Sequence, residues 1–213
     1  MIIGTKYWND PARYSQQNNN PEEETLRVAL EEASKKHGFA IKSATHLEFC
    51  GPTAAVNAHD ATAAPLVVKL PGGYVAQPES LLTDVFRDPA NYKVLRAAVP
   101  ENWFDPAVTP ANRVLKCYPA ALRLAFDWNA QFIAAKPAWV TLPDYFRKNQ
   151  ALVICLKEPS HYVAIKAYDT KRNELIYNDP WNFRGSIHGF NRRMSYSEWQ
   201  TNVKEGVLKI CPS

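Results

Sequence analysis

The chain changes character at Ala151, and this change limits its possible folds more than any other feature of the 213 residues. Before Ala151, helix-forming segments alternate with prolines, which cannot continue a helix interior or a strand ladder. After it, "ALVICLK", "SHYVAIKAYD" and "LIYNDPW" are rich in β-forming residues, and "KRNE" has the composition of a hairpin turn. Helices followed by the strands of an antiparallel sheet predict an α+β fold, with the helical half before the strand half.

The N-terminal part is predicted to be an irregular lead-in over residues 1–20, followed by a helix from Asn20 to Gly38. Asn20 suits the N-cap and Pro21 suits the first helical position. Gly38 can adopt the left-handed conformation that ends a helix. We therefore divide the chain into residues 1–38, a lead-in and helix, and residues 39–213, a single globular unit.

Further helices are predicted over "PTAAVNAHDATAA", "PESLLTDVF", "ANYKVLRAA", "PAALRLAFDWNAQFIAA" and "LPDYFRKNQ". A short helix over "SYSEWQTN" follows from Ser195 and Glu198, which have the spacing of a capping box. A last strand is predicted over "GVLKI". These segments complete the expected helices and sheet.

Composition excludes several classes of protein. Hydrophobic residues make up 46% and charged residues 22% of the chain, as in ordinary globular domains. The formal net charge of +4 favours anionic surfaces, but no lysine or arginine cluster is dense enough for a nucleic-acid-binding protein. The four cysteines form no CxxC pair, so neither a zinc ribbon nor a disulfide framework is expected. No metal site and no cofactor are predicted.

The sequence also allows predictions about the subcellular location of the protein. No segment approaches the roughly 18 apolar residues of a membrane span. The start "MIIGTKYWND" lacks the continuous apolar run of a signal peptide. We therefore expect synthesis in the cytoplasm and no stable membrane insertion. Action on the cell wall would require release by another component. A monomer is favoured, although the sequence leaves the oligomeric state open.

A thiol stands at the start of one predicted helix, in "LEFCGPTAAVNAHD". Cys50 could be a buried structural thiol, since free cysteine packs as a small hydrophobic residue. The N-terminus of a helix, however, lowers the pKa of a thiol, and its unpaired N–H groups can stabilise an oxyanion. Cys50 is therefore a candidate nucleophile.

A base for this thiol is offered by His161, at the start of the strand "HYVAIKAYD". A hairpin turned near "TKRNE" would bring the start of this strand beside the end of "LIYNDPW". That geometry places His161 next to Asn178 and Asp179. Either residue could orient the imidazole, because the register of the hairpin could differ by one.

"CGPTAA", "SHYVAIKAYD" and "IYNDPW", in that order, resemble the papain-like cysteine peptidases of the C39-like group, and "MSYSEW…GVLKI" resembles that group's closing helix and strand. The resemblance covers roughly residues 44–211. It implies a papain-like fold, with Cys50 as nucleophile, His161 as general base and acid, and Asp179 orienting the imidazole.

One departure from this group concerns the oxyanion hole. Papain-like enzymes usually supply a second donor from a glutamine a few residues before the cysteine, but "SATHLEF" contains none. His46 or Thr45 could donate instead, whereas Glu48 would repel an oxyanion unless it were protonated. His46 and Glu48 could also simply be solvated. The donor is therefore either replaced or missing.

Other conspicuous residues have simpler interpretations. His59 and Asp60 form an "HD" pair of the kind found in metal phosphohydrolases, but no second such pair supports a metal site, and we expect solvated helix residues. Trp181, directly after "NDP", is placed at the wall of a substrate groove. The remaining cysteines are expected to pack in or near the core: Cys117, Cys155 and Cys211.

These observations predict a thiol hydrolase that cleaves an amide or peptide bond. The substrate could be a peptide or the peptide stem of peptidoglycan, as for a phage-type endolysin, because the chain is compact and basic. One alternative is an intracellular protein-processing peptidase. Another is a binding protein of the same fold that no longer catalyses a reaction. The absence of the glutamine is the observation that favours this alternative.

Overall fold

The computed structural model describes residues 1–10, 50–63, 68–69, 75–76, 78–97, 114–158, 160–180 and 190–211. Its main feature is an antiparallel sheet of seven strands, in the order β4-β9-β5-β6-β7-β8 with β1 paired to β6. Its strands are β1 (Ile2–Gly4), β4 (Ala130–Ile133), β5 (Ala151–Leu156), β6 (His161–Asp169), β7 (Glu174–Asn178), β8 (Arg192–Ser195) and β9 (Val203–Ile210). Two short strands, β2 (Val68–Lys69) and β3 (Val75–Ala76), form a separate pair.

Helices lie on both faces of the sheet. They are α1 (Cys50–Thr62), α2 (Pro78–Arg87), α3 (Tyr92–Arg96), α4 (Tyr118–Phe126), α5 (Leu142–Arg147) and α6 (Tyr196–Asn202). Three of them follow directly on a turn of 3₁₀-helix, at Pro89–Asn91, Leu115–Cys117 and Trp139–Thr141. The predicted α+β architecture is therefore confirmed.

The core has two parts because successive side chains of a strand point to opposite faces of the sheet. On one face, α1 to α4 bury residues that include Ala54, Leu82, Leu95, Leu122 and Val153. On the other face, α5 and α6 cover residues that include Leu142, Phe146, Leu152, Val163 and Trp199. Helix α1 lies against β5 and β6, so its first residue, Cys50, comes close to the strand that carries His161.

The local patterns behind α6 and the hairpin are confirmed. Ser195 accepts a hydrogen bond from the N–H of Glu198, whose carboxylate accepts from the N–H of Ser195, which completes the predicted capping box. Strands β6 and β7 pair antiparallel across the turn at 170–173. Asn173 in that turn has a φ of 57°, a left-handed conformation that asparagine tolerates.

The helix predicted over "PAALRLAFDWNAQFIAA" is wrong in its second half. Helix α4 ends at Phe126, where Asp127 takes a left-handed φ of 56° and its N–H bonds back to Arg123. The segment Ala130–Ile133 then forms β4, which pairs with β9 at the edge of the sheet. Pairing with a distant strand overrides the helical preference of this alanine-containing segment.

The irregular lead-in predicted for residues 1–20 is also incomplete, because Ile2–Gly4 forms β1. Strand β6 extends beyond β5, and β1 pairs with this extension at Ala167–Asp169. It thereby satisfies backbone groups that would otherwise form an exposed edge. Strand β8 was not predicted, and the helix predicted from Asn20 to Gly38 lies outside the described residues.

His59 and Asp60 do not have the solvated environment expected for them. His59 is 3% exposed, and its ring stacks parallel on Trp128 with 3.5 Å between ring centroids. The side chain of Asp60 is 11% exposed. Packing of α1 against the segment that follows α4 causes this burial, which the local sequence does not reveal.

Candidate active site

Cys50 is the first residue of α1 and is half-buried. The alanines that follow it, including Ala54, Ala55 and Ala58, are fully buried, so a slim helix lies directly against the sheet. Because Cys50 begins the helix, the first N–H groups of α1 have no partners within the helix. The thiol therefore lies at the positive end of the helix dipole.

The imidazole of His161 and the carboxylate of Asp179 are in direct contact. Nε2 of His161 lies 2.6 Å from Oδ1 of Asp179, and the two residues are 3% and 8% exposed. The antiparallel register explains this contact, since Ala164 pairs with Asn178 and the start of β6 therefore lies near the residue after β7. The hairpin predicted from "TKRNE" thus brings these two side chains together.

Asn178, the alternative orienter, makes a different contact. Its Oδ1 accepts a hydrogen bond from the backbone N–H of Asn191 at 3.4 Å. Successive residues of a strand point to opposite sides, so only one of Asn178 and Asp179 can face the imidazole. In the structure that residue is Asp179.

A cation also contacts Asp179, and the sequence did not predict it. Nη1 of Arg192 donates a hydrogen bond to Oδ2 of Asp179, while Oδ1 faces His161. Arg192 begins β8, which pairs with β7 and so brings residue 192 beside residue 179. The sequence shows only an adjacent arginine pair in "FNRRMS", and no turn signal predicts its strand.

The environment of Cys50 favours its thiolate. Burial alone would raise the pKa of the thiol, and it is the largest single effect, but a hydrogen bond with the His161 side chain and several smaller effects together outweigh it. The backbone N–H groups of Tyr162 and Gly51 and the charge of His161 act in the same direction. The net effect is a pKa for Cys50 below the ordinary thiol value.

The environment of His161 favours its protonated form. Burial alone would lower the pKa of the imidazole, but the hydrogen bonds with Asp179 and Cys50 and the negative charges of both raise it to about 9. The same contact therefore lowers the pKa of the thiol and raises the pKa of the imidazole. A thiolate–imidazolium pair is consequently favoured between the lowered pKa of Cys50 and the His161 pKa of about 9.

Three of the residues singled out in the sequence lie outside the described residues: His46, Glu48 and Trp181. A role for the first two in an oxyanion hole, and for the third at a groove wall, remains a prediction. Of the other cysteines, Cys117 and Cys155 are buried and Cys211 is half-buried, in agreement with the packing expected of them.

Within the described ranges, no three or more His, Cys, Asp and Glu side chains are grouped as metal ligands would be. Among the helices of the described residues, none combines the length and apolar composition needed to cross a bilayer.

Solved structures that are similar to this chain include two peptidase domains. One is the peptidase domain of Streptococcus ComA, described as a bi-functional ABC transporter involved in quorum sensing. It is 17% identical with a TM-score of 0.42, and the match covers 81% of this chain and 97% of that domain. The other is the peptidase domain of Streptococcus mutans ComA in complex with a small-molecule inhibitor. It is 24% identical with a TM-score of 0.32, and the match covers 46% and 74% of the two chains.

Comparison with sequence families gives a broader match than either structure. No curated protein sequence matches this chain. The profile of the Peptidase_C39 like family, however, matches residues 12–207, which include Cys50, His161 and Asp179. This match spans nearly the whole sequence, so the chain belongs to the peptidase C39-like family and is a cysteine peptidase.

Proposed function

We propose that Cys50, His161 and Asp179 form the catalytic triad of an enzyme that hydrolyses an amide bond in a peptide. One arrangement carries this proposal: the imidazole of His161 is hydrogen-bonded to Cys50 and lies 2.6 Å from the Asp179 carboxylate. A nucleophile, a base and an orienting group in contact with one another are the elements of such a triad.

The first half of the reaction forms an acyl-enzyme. The thiolate of Cys50 attacks the carbonyl carbon of the scissile amide, and a C–S bond forms as the carbonyl oxygen becomes negative. The N–H groups at the start of α1, which have no partner within the helix, stabilise this oxyanion, an effect worth a factor of about 10² or more in rate. His161 then gives its proton to the amide nitrogen as the C–N bond breaks, and the amine leaves.

The second half regenerates the enzyme. Neutral His161 takes a proton from a water molecule, which attacks the thioester carbon. The C–S bond breaks, the carboxylic acid product leaves, and Cys50 departs as the thiolate beside a protonated His161. Because Nε2 of His161 is held by Asp179, Nδ1 is the ring nitrogen that exchanges the proton.

Labelling of the thiols tests the triad without a known substrate. Wild-type protein and the His161→Ala variant are treated with iodoacetamide between about pH 5 and pH 9, and the labelled cysteines are identified by peptide mapping. We expect Cys50 to react rapidly near pH 6 in the wild type, and this reaction to be lost in His161→Ala. If Cys50 reacts no faster than the buried Cys117 and Cys155 at any pH, the triad is disproved.

Peptidoglycan stem peptides are the substrate class that we propose to test first. The net charge of +4 and the pI of about 8.8 favour association with an anionic cell-wall polymer. The assay is the release of new amino groups from purified peptidoglycan, with Cys50→Ala as the control. Cleavage of unmodified peptides but not of peptidoglycan would instead favour a peptidase that processes proteins.

The competing function is a binding protein of the same fold without turnover. The absence of a glutamine in "SATHLEF" is the observation that favours it. A rapidly reacting Cys50 that forms a thioester with an activated ester, but never releases the acid, would support this alternative. Steady release of the acid product would exclude it.

A further inference from the structure

Lys204 lies beside the candidate active site and is not part of the proposed triad. It belongs to β9, and its side chain is half-buried. Its Nζ donates a hydrogen bond to Oγ of Ser160 at 2.9 Å. Ser160 directly precedes His161 in the chain, so the ammonium group contacts the residue next to the candidate base.

The thiol of Cys155 interacts with the charges of both Lys204 and Cys50. Burial raises the pKa of Cys155, whereas the charge of Lys204 and a hydrogen bond with Ser160 favour its thiolate, and the charge of Cys50 disfavours it. Cys155 is thus near both the ammonium group and the candidate nucleophile. Cys155 pairs with Tyr162, whose N–H is bonded to the sulfur of Cys50.

Backbone contacts hold Lys204 and Ser160 in a fixed relation. The N–H of Lys157 donates to the carbonyl of Asn202 at 2.7 Å, and the N–H of Glu158 donates to Oδ1 of Asn202 at 2.9 Å. Nδ2 of Asn202 donates in return to the carbonyl of Glu158 at 3.1 Å. The turn that carries Ser160 is therefore tied to the end of α6, two residues before Lys204.

The charge of Lys204 has no acidic partner in the part of the chain that the structure describes. Within the described residues, no carboxylate forms an ion pair with Lys204, although Arg192 and Arg193 both have acidic partners. An ammonium group has three donors, and hydrogen bonds with Ser160 and Cys155 use two of them. Among the described residues, a positive charge and one donor therefore remain without a partner beside the site.

The spacing of the strands sets the distance to the reacting bond. Lys204, Cys155 and Tyr162 follow one another across β9, β5 and β6, and neighbouring strands lie about 4.8 Å apart. An extended substrate advances about 3.4 Å for each residue. Two such spacings, about 9.6 Å in all, would place a substrate group that reached Lys204 roughly two to three residues from the carbonyl attacked by Cys50.

We propose that Lys204 binds a carboxylate of the substrate roughly two to three residues from the scissile bond and makes this peptidase selective for acidic peptides. This inference rests on the proposed function, because it takes Cys50 as the nucleophile. The proposed selectivity applies to any peptide with a free carboxylate at that position, including a cell-wall stem peptide.

Matched affinity labels test the inference. The probes are N-acetyl-Glu-Gly-chloromethyl ketone and its Gln analogue, which differ in one charge, and the rate of alkylation of Cys50 is measured by mass spectrometry. The variants are Lys204→Met and Lys204→Glu, with Lys209→Met as a control that removes a charge from the same strand. Iodoacetamide, which carries no peptide, reports the reactivity of Cys50 itself.

In the wild type and in Lys209→Met we expect the Glu probe to react faster by a factor on the order of ten, the effect of one charge-assisted hydrogen bond. The ratio of the two rates should fall to about one in Lys204→Met and invert in Lys204→Glu. The preference of the wild type for the Glu probe should also weaken as salt is added, because salt screens the interaction between the two charges. This measurement does not depend on the folding of any variant.

The two proposals fail in different ways. If Cys50 reacts rapidly with iodoacetamide but the Glu and Gln probes react equally in the wild type, selectivity by Lys204 is overturned and the triad stands. The same holds if Lys204→Met keeps the full preference. If Cys50 is slow with all three reagents, the triad fails, and selectivity by Lys204 fails with it.

Discussion

Nε2 of His161 lies 2.6 Å from Oδ1 of Asp179, although the two residues are 18 positions apart in the chain. The β6–β7 hairpin brings them together, and Arg192 of the next strand pairs with the other carboxylate oxygen. The carboxylate is thus held from two sides while it faces the imidazole. This arrangement makes the pKa of His161 the most informative quantity in the site.

The pH dependence of hydrolysis should be bell-shaped. In the proposed mechanism the active form has Cys50 as thiolate and His161 protonated, so it exists above the lowered pKa of Cys50 and below the His161 pKa of about 9. We expect kcat/KM to rise with pH through the first pKa and to fall near pH 9. The rate of alkylation of Cys50 by iodoacetamide should rise with pH through the pKa of Cys50 and then remain high, because the thiolate persists at higher pH. A single rise in both near the ordinary thiol pKa of about 8.5 would contradict this prediction.

Replacement of Asp179 should lower the pKa of His161. Asp179→Ala removes the hydrogen bond and the negative charge that stabilise the imidazolium. We expect kcat/KM to fall by at least about ten-fold and its upper limb to move to lower pH. An NMR titration of the His161 ring measures the pKa directly. Asn178→Ala is the matched control, since its amide contacts Asn191 instead, and it should leave that pKa unchanged.

Replacement of Arg192 should move the pKa of His161 in the opposite direction. Arg192→Met removes a positive charge near the imidazolium, so the pKa should rise slightly. The side chain of Arg192 is 49% exposed, so the shift should be small, and looser positioning of Asp179 should lower kcat/KM a few-fold. Arg193→Met is the control, because Arg193 pairs with Asp169 and Glu174. A downward shift of the upper limb in Arg192→Met would refute this role.

Replacement of Lys166 should stabilise the fold in a pH-dependent way. Lys166 is 1% exposed, and its Nζ has no hydrogen-bond partner among the described residues but lies 4.2 Å from the centre of the Phe190 ring. Burial outweighs the charge of Asp10 and lowers its pKa to about 7. In the unfolded chain the pKa is higher, so the unfolded state binds more protons between these two values and stability rises with pH there.

The cost of burying Lys166 is therefore complete below about pH 7 and disappears above about pH 10.5. We expect Lys166→Met to raise the free energy of unfolding by a few kcal/mol, on the order given by the pKa shift, at pH 6. The gain should be much smaller at pH 10. Urea denaturation of the wild type and of Lys166→Met at both pH values measures it, with Lys209→Met as the control. A gain that is equal at both pH values would show that burial of the charge is not its cause.

The sequence predicted those elements that are stabilised by contacts between residues close together in the chain. The capping box at Ser195 and Glu198 and the start of α1 at Cys50 depend on neighbours within one helical turn. The contact of His161 with Asp179 spans more residues but follows from one tight hairpin. It could therefore be expected, although the choice between Asn178 and Asp179 required the register of the strands.

The sequence by itself thus determined the α+β class, because periodicity, caps and turns act over short distances. Its motifs also indicated the family and the residues of the candidate site. Only the tertiary structure decided that Arg192 contacts Asp179, that Lys204 reaches Ser160, and that β1 joins β6. These contacts join segments far apart in the chain, or strands with little β-pattern of their own. Their energies come from strand pairing and burial in the assembled sheet, which no local pattern encodes.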